Sequence, residues 1–181
     1  MYEKESKAMC FFLRHAAKDL KWDITKDGFI SVNQLVDCVK GKKFPNFTAE
    51  AVAQIVREDE KGRYSYSEDG TKIRANQGHS FDVDLGLKAK IPPVILYHGT
   101  DSKAVPIIKK TGIQKMKRQH VHLTDDPETA ASVGIRHGAE ILIIIDTRPM
   151  VADGVKFYQS TNGVWLTDFV DAKYLNEVNW R

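Results

Sequence analysis

Cysteine is scarce in this chain: Cys10 and Cys38 are the only two among 181 residues. Two thiols are too few for a disulfide framework or a cysteine-built zinc site, and both are expected to serve as small buried hydrophobes. Long apolar runs are missing as well, which excludes a membrane-spanning helix. The opening MYEKESKAMC carries charges where a secretory leader has its apolar segment, so a soluble, reducing, cytoplasmic setting is expected. A strong charge of one sign is the third absence. The 27 Lys and Arg against 24 Asp and Glu leave +3, which alone argues neither for nor against a polyanionic partner. There is no internal repeat and no low-complexity segment.

What is present points to a folded chain. With 42% hydrophobic residues and 28% charged residues of mixed sign, there is enough apolar material for a packed core. The positive charge is local. From Lys103 to His122 there are six cations (Lys103, Lys109, Lys110, Lys115, Lys117, Arg118) and no carboxylate, a field suited to phosphate groups.

Up to about residue 80 the pattern predicts three helices and a hairpin. The first helix carries LRHAAKDLKW and ends near KWD, with Met9, Leu13, Ala16 and Leu20 as its apolar stripe and Arg14 and His15 on the far side. An extended GFIS follows, and Ser31 with Gln34 forms a capping box for VNQLVDCVKG, which Gly41 stops. Thr48 or Asn46 starts AEAVAQIVRED, with Ala49, Val52 and Val56 on one side. GRYSYSEDGTKIRA then alternates around Asp69-Gly70, a strong hairpin signal. Helix, short strand, two helices and a hairpin is the order of a winged-helix module, which binds nucleic acid in some proteins and protein in others.

After Pro92-Pro93 strands dominate: VILYHGT, VHLT, EILIIID and GVWLTDFV. One helix is expected over Ser102 to Thr111, closed by Gly112. Another begins near Pro127 after Asp125 and ends before Gly138. The expected class is therefore α+β, with an N-terminal winged-helix lobe at 1–84 and a β-rich lobe at 92–181.

Several chemistries fit these residues. His98, His120 and His122 offer a metal-binding trio, although no nearby acid completes it. Two H-x-T triplets, at 98–100 and 122–124, match the pattern of two-histidine phosphoesterases. Simple hydrogen bonding within the sheet is a third reading. His98 sits where a strand breaks at a glycine. Arginines 14, 63, 74 and 136 read singly as solvated surface groups, but guanidiniums from both halves would together hold a dianionic phosphate. Alternation puts Arg63 opposite the two tyrosines of GRYSYS, on the polar face of the hairpin.

Six stretches, FFLRH, GRYSYSEDGTKIRANQGHS, LYHGT, HVHLT, VGIRHG and NGVWLTD, together resemble the KptA-type RNA 2'-phosphotransferases over roughly residues 8–175. The resemblance implies a winged-helix RNA lobe joined to an ADP-ribosyltransferase-like NAD lobe. It implies an RNA substrate bearing a 2'-phosphate, of the tRNA splice-junction type, with NAD as co-substrate. No metal is expected, since no carboxylate cluster offers to hold one, and a monomer is expected because nothing in the sequence demands a dimer. The family's phosphate-binding Arg-His-Arg-Arg tetrad falls on Arg14, His15, Arg63 and Arg136. Its NAD positions fall on His98, Gly99, Thr100, His122 and Thr124. The chain departs from the family pattern at Ala16-Ala17, Thr124 and Glu140, and at no tetrad position.

The resemblance also implies a two-step reaction. The RNA 2'-phosphate attacks the nicotinamide-bearing ribose carbon, and the ribose 2''-hydroxyl then attacks the phosphate. RNA is released with a 2'-hydroxyl, and the other products are nicotinamide and ADP-ribose 1'',2''-cyclic phosphate. A phosphate dianion is already nucleophilic and needs no general base. His15 is the tetrad member suited to protonating the departing 2'-oxygen. ADP-ribosyl transfer to another acceptor, protein or nucleic acid, is the alternative activity of such a lobe.

Overall fold

The structure is a computed structural model that describes residues 2–16, 20, 22–136, 141–175 and 177–180. Helices and sheets are mixed throughout, as expected for an α+β chain, and the chain divides into two compact units, 1–86 and 87–181. Among the described residues no helix is long and apolar enough to cross a membrane.

In the first unit, α1 (Glu3–Phe11) runs into a π-helical turn, Phe12–Ala16. The buried stripe is Met9, Phe12 and Leu13, while Leu20 is exposed; Ala17, Lys18 and Lys21 lie outside the described residues. Next come β1 (Ile30–Ser31), α2 (Val32–Gly41), α3 (Ala49–Arg57), β2 (Tyr64–Tyr66) and β3 (Lys72–Ala75). In α2, Val32, Leu35, Val36 and Val39 are all buried, the i, i+3, i+4, i+7 spacing of an amphipathic helix. They pack with Val52, Ile55, Ile30 and Ile73 into one core. The strands form an antiparallel sheet in the order β1-β3-β2. Gly70 turns the hairpin with φ +70°.

Three local expectations are corrected. Ser31 is the N-cap of α2 but makes no capping bond, because it belongs to β1 opposite Lys72 and the Val32 N–H donates to the Thr71 carbonyl. Gly41 is the last helical residue, and the left-handed turn falls on Lys43 at φ +90°. In α3, Thr48 does cap, accepting from the Ala51 N–H at 3.3 Å, but the buried face is Ala51, Val52 and Ile55.

The second unit comprises β4 (Ile95–Thr100), α4 (Val105–Thr111), β5 (Ile113–Gln114), β6 (Val121–Leu123), α5 (Pro127–Arg136), β7 (Ile141–Asp146), α6 (Thr147–Ala152), β8 (Tyr158–Gln159), β9 (Trp165–Thr167), β10 (Phe169–Val170) and β11 (Glu177–Trp180). Its sheets run β11-β7-β4, β6-β9-β8 and β10-β5. Leu96, Ile143, Ile145, Met150, Phe157 and Leu166 form the core. The helix expected from Ser102 starts at Val105, because the Asp101 carboxylate takes the Lys103 and Ala104 N–H groups into a turn first. The N-terminal cap of α5 is made by Asp126, which accepts from the Glu128 and Thr129 N–H groups. Gly112 closes α4 at φ +76°, and a Cβ there would meet the Val170 carbonyl at 2.2 Å; only glycine lets β10 approach so closely. His137, Gly138 and Glu140 lie outside the described residues.

Candidate active site

Arg14 and His15 sit in the π-helical turn that follows α1. Hydrogen bonds from i to i+5 advance the chain by fewer degrees per residue than an α-helix, which rotates Arg14 back toward the packed side and His15 away from it. His15 is exposed, whereas Nε and Nη2 of Arg14 are buried and have no hydrogen-bond partner among the described residues. Arg14 therefore departs from the solvated reading that an arginine taken singly receives. Its main chain is tied down by residues far along the chain: the Ser80 N–H donates to the Arg14 carbonyl at 2.9 Å. Gly78, at φ +89°, would place a Cβ 3.3 Å from Arg14 Nε, so that position needs glycine for its conformation and for room.

Arg63 precedes β2 and is pinned by Asp59. The carboxylate accepts from the Arg63 N–H at 2.5 Å, from Nε at 2.8 Å and from Nη2 at 2.7 Å. The Asp59 side chain is only 3% exposed and that of Arg63 31%. Asn76 completes the frame, donating to the Gly62 carbonyl and giving its own N–H to the Arg63 carbonyl. An ordinary surface arginine would swing free, but this one is held along its Nε–Nη2 edge by the carboxylate.

In the second unit, β4 runs unbroken through Gly99, which pairs with Leu142; the expected break at that glycine is absent because β7 supplies a partner along the whole strand. His98 and Thr100 share the face of Leu96, opposite Ile143 and Ile141. Thr100 is buried. His98 Nδ1 lies 3.0 Å from the His122 carbonyl. A carbonyl only accepts, so Nδ1 carries the proton and Nε2 is left as an acceptor. Burial pushes the His98 ring below its usual basicity, reinforced by the Arg118 charge, and it is neutral at pH 7. His122, in β6, has the opposite arrangement. Its Nδ1 lies 2.5 Å from Arg118 Nη1; arginine only donates, so the His122 proton is on Nε2. Tyr97 and Thr124 exchange main-chain hydrogen bonds at 2.7 and 3.0 Å. That bridge fixes His98, Gly99, Thr100, His122 and Thr124 along one join between two sheets. The Thr124 hydroxyl accepts from the Asp126 N–H at the start of α5.

Arg136 is the last residue of α5, and its side chain lies outside the described residues. No three His, Cys, Asp or Glu side chains gather as metal ligands among the described residues, so the histidine trio is not assembled as a metal centre. The sequence alone assigns His79 no role, although it lies within the stretch GRYSYSEDGTKIRANQGHS. It is fully buried, packs edge-on against Phe81 at 5.5 Å, and neither ring nitrogen has a partner among the described residues. Burial, then the charges of Arg14, Arg74 and His15, push its pKa down to about 4. A glycine–histidine pair after a strand is too common a sequence signal to reveal such a position.

The family model described as RNA 2'-phosphotransferase, Tpt1 / KptA family, matches residues 2–169. A relative from Trichormus variabilis named "Probable RNA 2'-phosphotransferase" is 45% identical over 176 residues, 97% of this chain and 96% of the relative. A Fusobacterium nucleatum relative of the same name is 45% identical over 173 residues, covering 95% and 96%. One from Pseudomonas syringae pv. tomato, also so named, is 42% identical over 177 residues, covering 96% and 92%.

Proposed function

The chain belongs to the Tpt1/KptA family of RNA 2'-phosphotransferases, and from that premise we propose that it removes an internal 2'-monophosphate from RNA, of the tRNA splice-junction type, using NAD as co-substrate. In this reading the first unit is a winged-helix RNA lobe and the second an ADP-ribosyltransferase-like NAD lobe. The element order α1-β1-α2-α3-β2-β3 and the bridged sheets of the second unit are consistent with it. Arg14, His15, Arg63 and Arg136 bind the 2'-phosphate. The supporting observation is that Asp59 holds the Arg63 guanidinium, and that Arg14 has its main chain tied to Ser80 and its Nε and Nη2 buried away from solvent; guanidiniums held in place stabilise charge on phosphate oxygens with little reorganisation during reaction.

His98, Gly99, Thr100, His122 and Thr124 are the NAD-binding positions. Their chemistry fits a ribose. A neutral His98 with an accepting Nε2 matches a hydroxyl, which gives as well as takes hydrogen bonds. NAD supplies an electrophilic ribose carbon; the protein holds the phosphate as nucleophile, then stabilises the crowded phosphorus centre while the ribose hydroxyl attacks. His15, exposed and able to carry a proton near neutral pH, protonates the departing RNA 2'-oxygen. The test is a 2'-phosphorylated oligonucleotide incubated with and without NAD. Dephosphorylated RNA and free nicotinamide are expected only with NAD. Dephosphorylation without NAD, or label transferred from NAD to protein in place of RNA dephosphorylation, would overturn the reading.

A further inference from the structure

His79 has no part in the reaction described above, yet its neighbours in the chain bracket Arg14. Gly78 lies against the guanidinium, with its Cβ direction 3.3 Å from Nε and 3.4 Å from Cζ, and Ser80 holds the Arg14 carbonyl. Between these two contacts the His79 ring is fully buried, with Phe81 edge-on against it and Nε2 3.6 Å from where a Cβ on Gly28 would stand. Two buried donors, Arg14 Nε and Nη2, and two unengaged buried ring nitrogens therefore occur in the same small region, without mutual hydrogen bonds. A buried polar group left unpaired costs about 1–3 kcal/mol, more when charged, and such groups are rarely left so in a working state.

We propose that His79 is a positioning residue for Arg14: its unprotonated ring nitrogen accepts an inner guanidinium N–H when phosphate engages the outer edge, locking Arg14 onto the 2'-phosphate. The proposal rests on the assignment of Arg14 to phosphate binding. The charged or titratable groups acting on the ring are Arg14, Arg74 and His15. Arg74 donates through Nη1 to the Asp27 carbonyl at 3.0 Å and lies 4.6 Å over the Phe29 ring, while its Nε is buried without a partner among the described residues; Arg14 is the partner assigned because Gly78 and Ser80, on either side of His79, both touch it. A neutral imidazole fits here because a third cation beside two guanidiniums would drive Arg14 out.

The experiment is a double-mutant cycle on the full chain, reading kcat/KM for 2'-phosphorylated RNA and, separately, KM for NAD. His79→Phe keeps the ring's bulk and removes its nitrogens; His79→Gln restores an acceptor. His79→Phe is expected to lower kcat/KM for RNA about tenfold or more with KM for NAD unchanged, and His79→Gln to recover most of that loss. In an Arg14→Ala background His79→Phe should cause no additional loss. A second readout is the ring 15N spectrum of His79, in which one nitrogen should shift as an acceptor on adding the phosphorylated RNA. If the two losses multiply, or NAD binding weakens in parallel, His79 is merely structural and the proposal fails. If Arg14→Ala itself leaves RNA kinetics untouched, the phosphate assignment fails first and this inference with it.

Discussion

Removing Arg63 should separate the two steps of the proposed reaction. In Arg63→Ala the Asp59 carboxylate, 3% exposed, loses its bonds to Nε and Nη2 and keeps only the main-chain N–H of residue 63. Breaking a fully buried pair costs about 3–5 kcal/mol. The Arg63 side chain is 31% exposed, so water replaces part of the loss and about 1–2 kcal/mol is expected. For a unit of this size that lowers the melting temperature by about 5–15 °C. Unfolding removes active molecules but slows both steps equally. The catalytic effect does not. In the first step the phosphate stays tetrahedral and loses charge as it is alkylated, so little is asked of one guanidinium. In the second it becomes five-coordinate with charge on its equatorial oxygens, and losing one preorganised donor slows such a step by about 10²–10³-fold. A time course of end-labelled RNA on a gel, run well below the melting point, should show the ADP-ribosylated RNA accumulating after nicotinamide has been released. Parallel loss of both steps would refute the reasoning and make Arg63 a binding residue only.

The other expectations concern different parts of the molecule. His98→Leu removes the Nε2 acceptor and the bond to the His122 carbonyl, so nicotinamide release should stop and no ADP-ribosylated RNA should appear in a single-turnover assay. His79 has a folded pKa of about 4 against the usual 6.5. The unfolded chain therefore binds the extra proton between those values, and stability falls as pH drops through that window. Urea titrations at pH 7 and pH 4.5 should show about 2–3 kcal/mol from this group, a slope that His79→Phe abolishes. Reversing charge at Lys109 and Lys110, in the last turn of α4, should raise the Michaelis constant for RNA and flatten its dependence on salt; an unchanged salt slope would remove these lysines from the RNA path. In the proposed site guanidiniums supply the positive charge at the phosphate, so EDTA should leave the rate unaltered; loss with EDTA and recovery with magnesium or zinc would contradict that.

Local chemistry determined much of what the sequence alone announced. The helical spacing of Val32, Leu35, Val36 and Val39 settles which face of α2 is buried, and Asp69-Gly70 turns the hairpin through a left-handed glycine. The apolar run of EILIIID becomes β7, the strand shared by β4 and β11. Membership of the family was legible because short motifs keep their order along the chain. Each of these signals lies within a few residues of what it specifies. The features that only tertiary structure decided are contacts between distant segments. A π-helical turn rotates Arg14 inward against Gly78, 64 positions later. Pairing with Lys72 and Thr71 costs Ser31 its capping bond. β7, lying alongside, carries β4 straight through Gly99. The buried, uncharged His79 results from burial and from cations that reach it from other elements. No periodicity records such meetings, because burial and electrostatic fields depend on what the fold brings near and not on what adjoins in the chain.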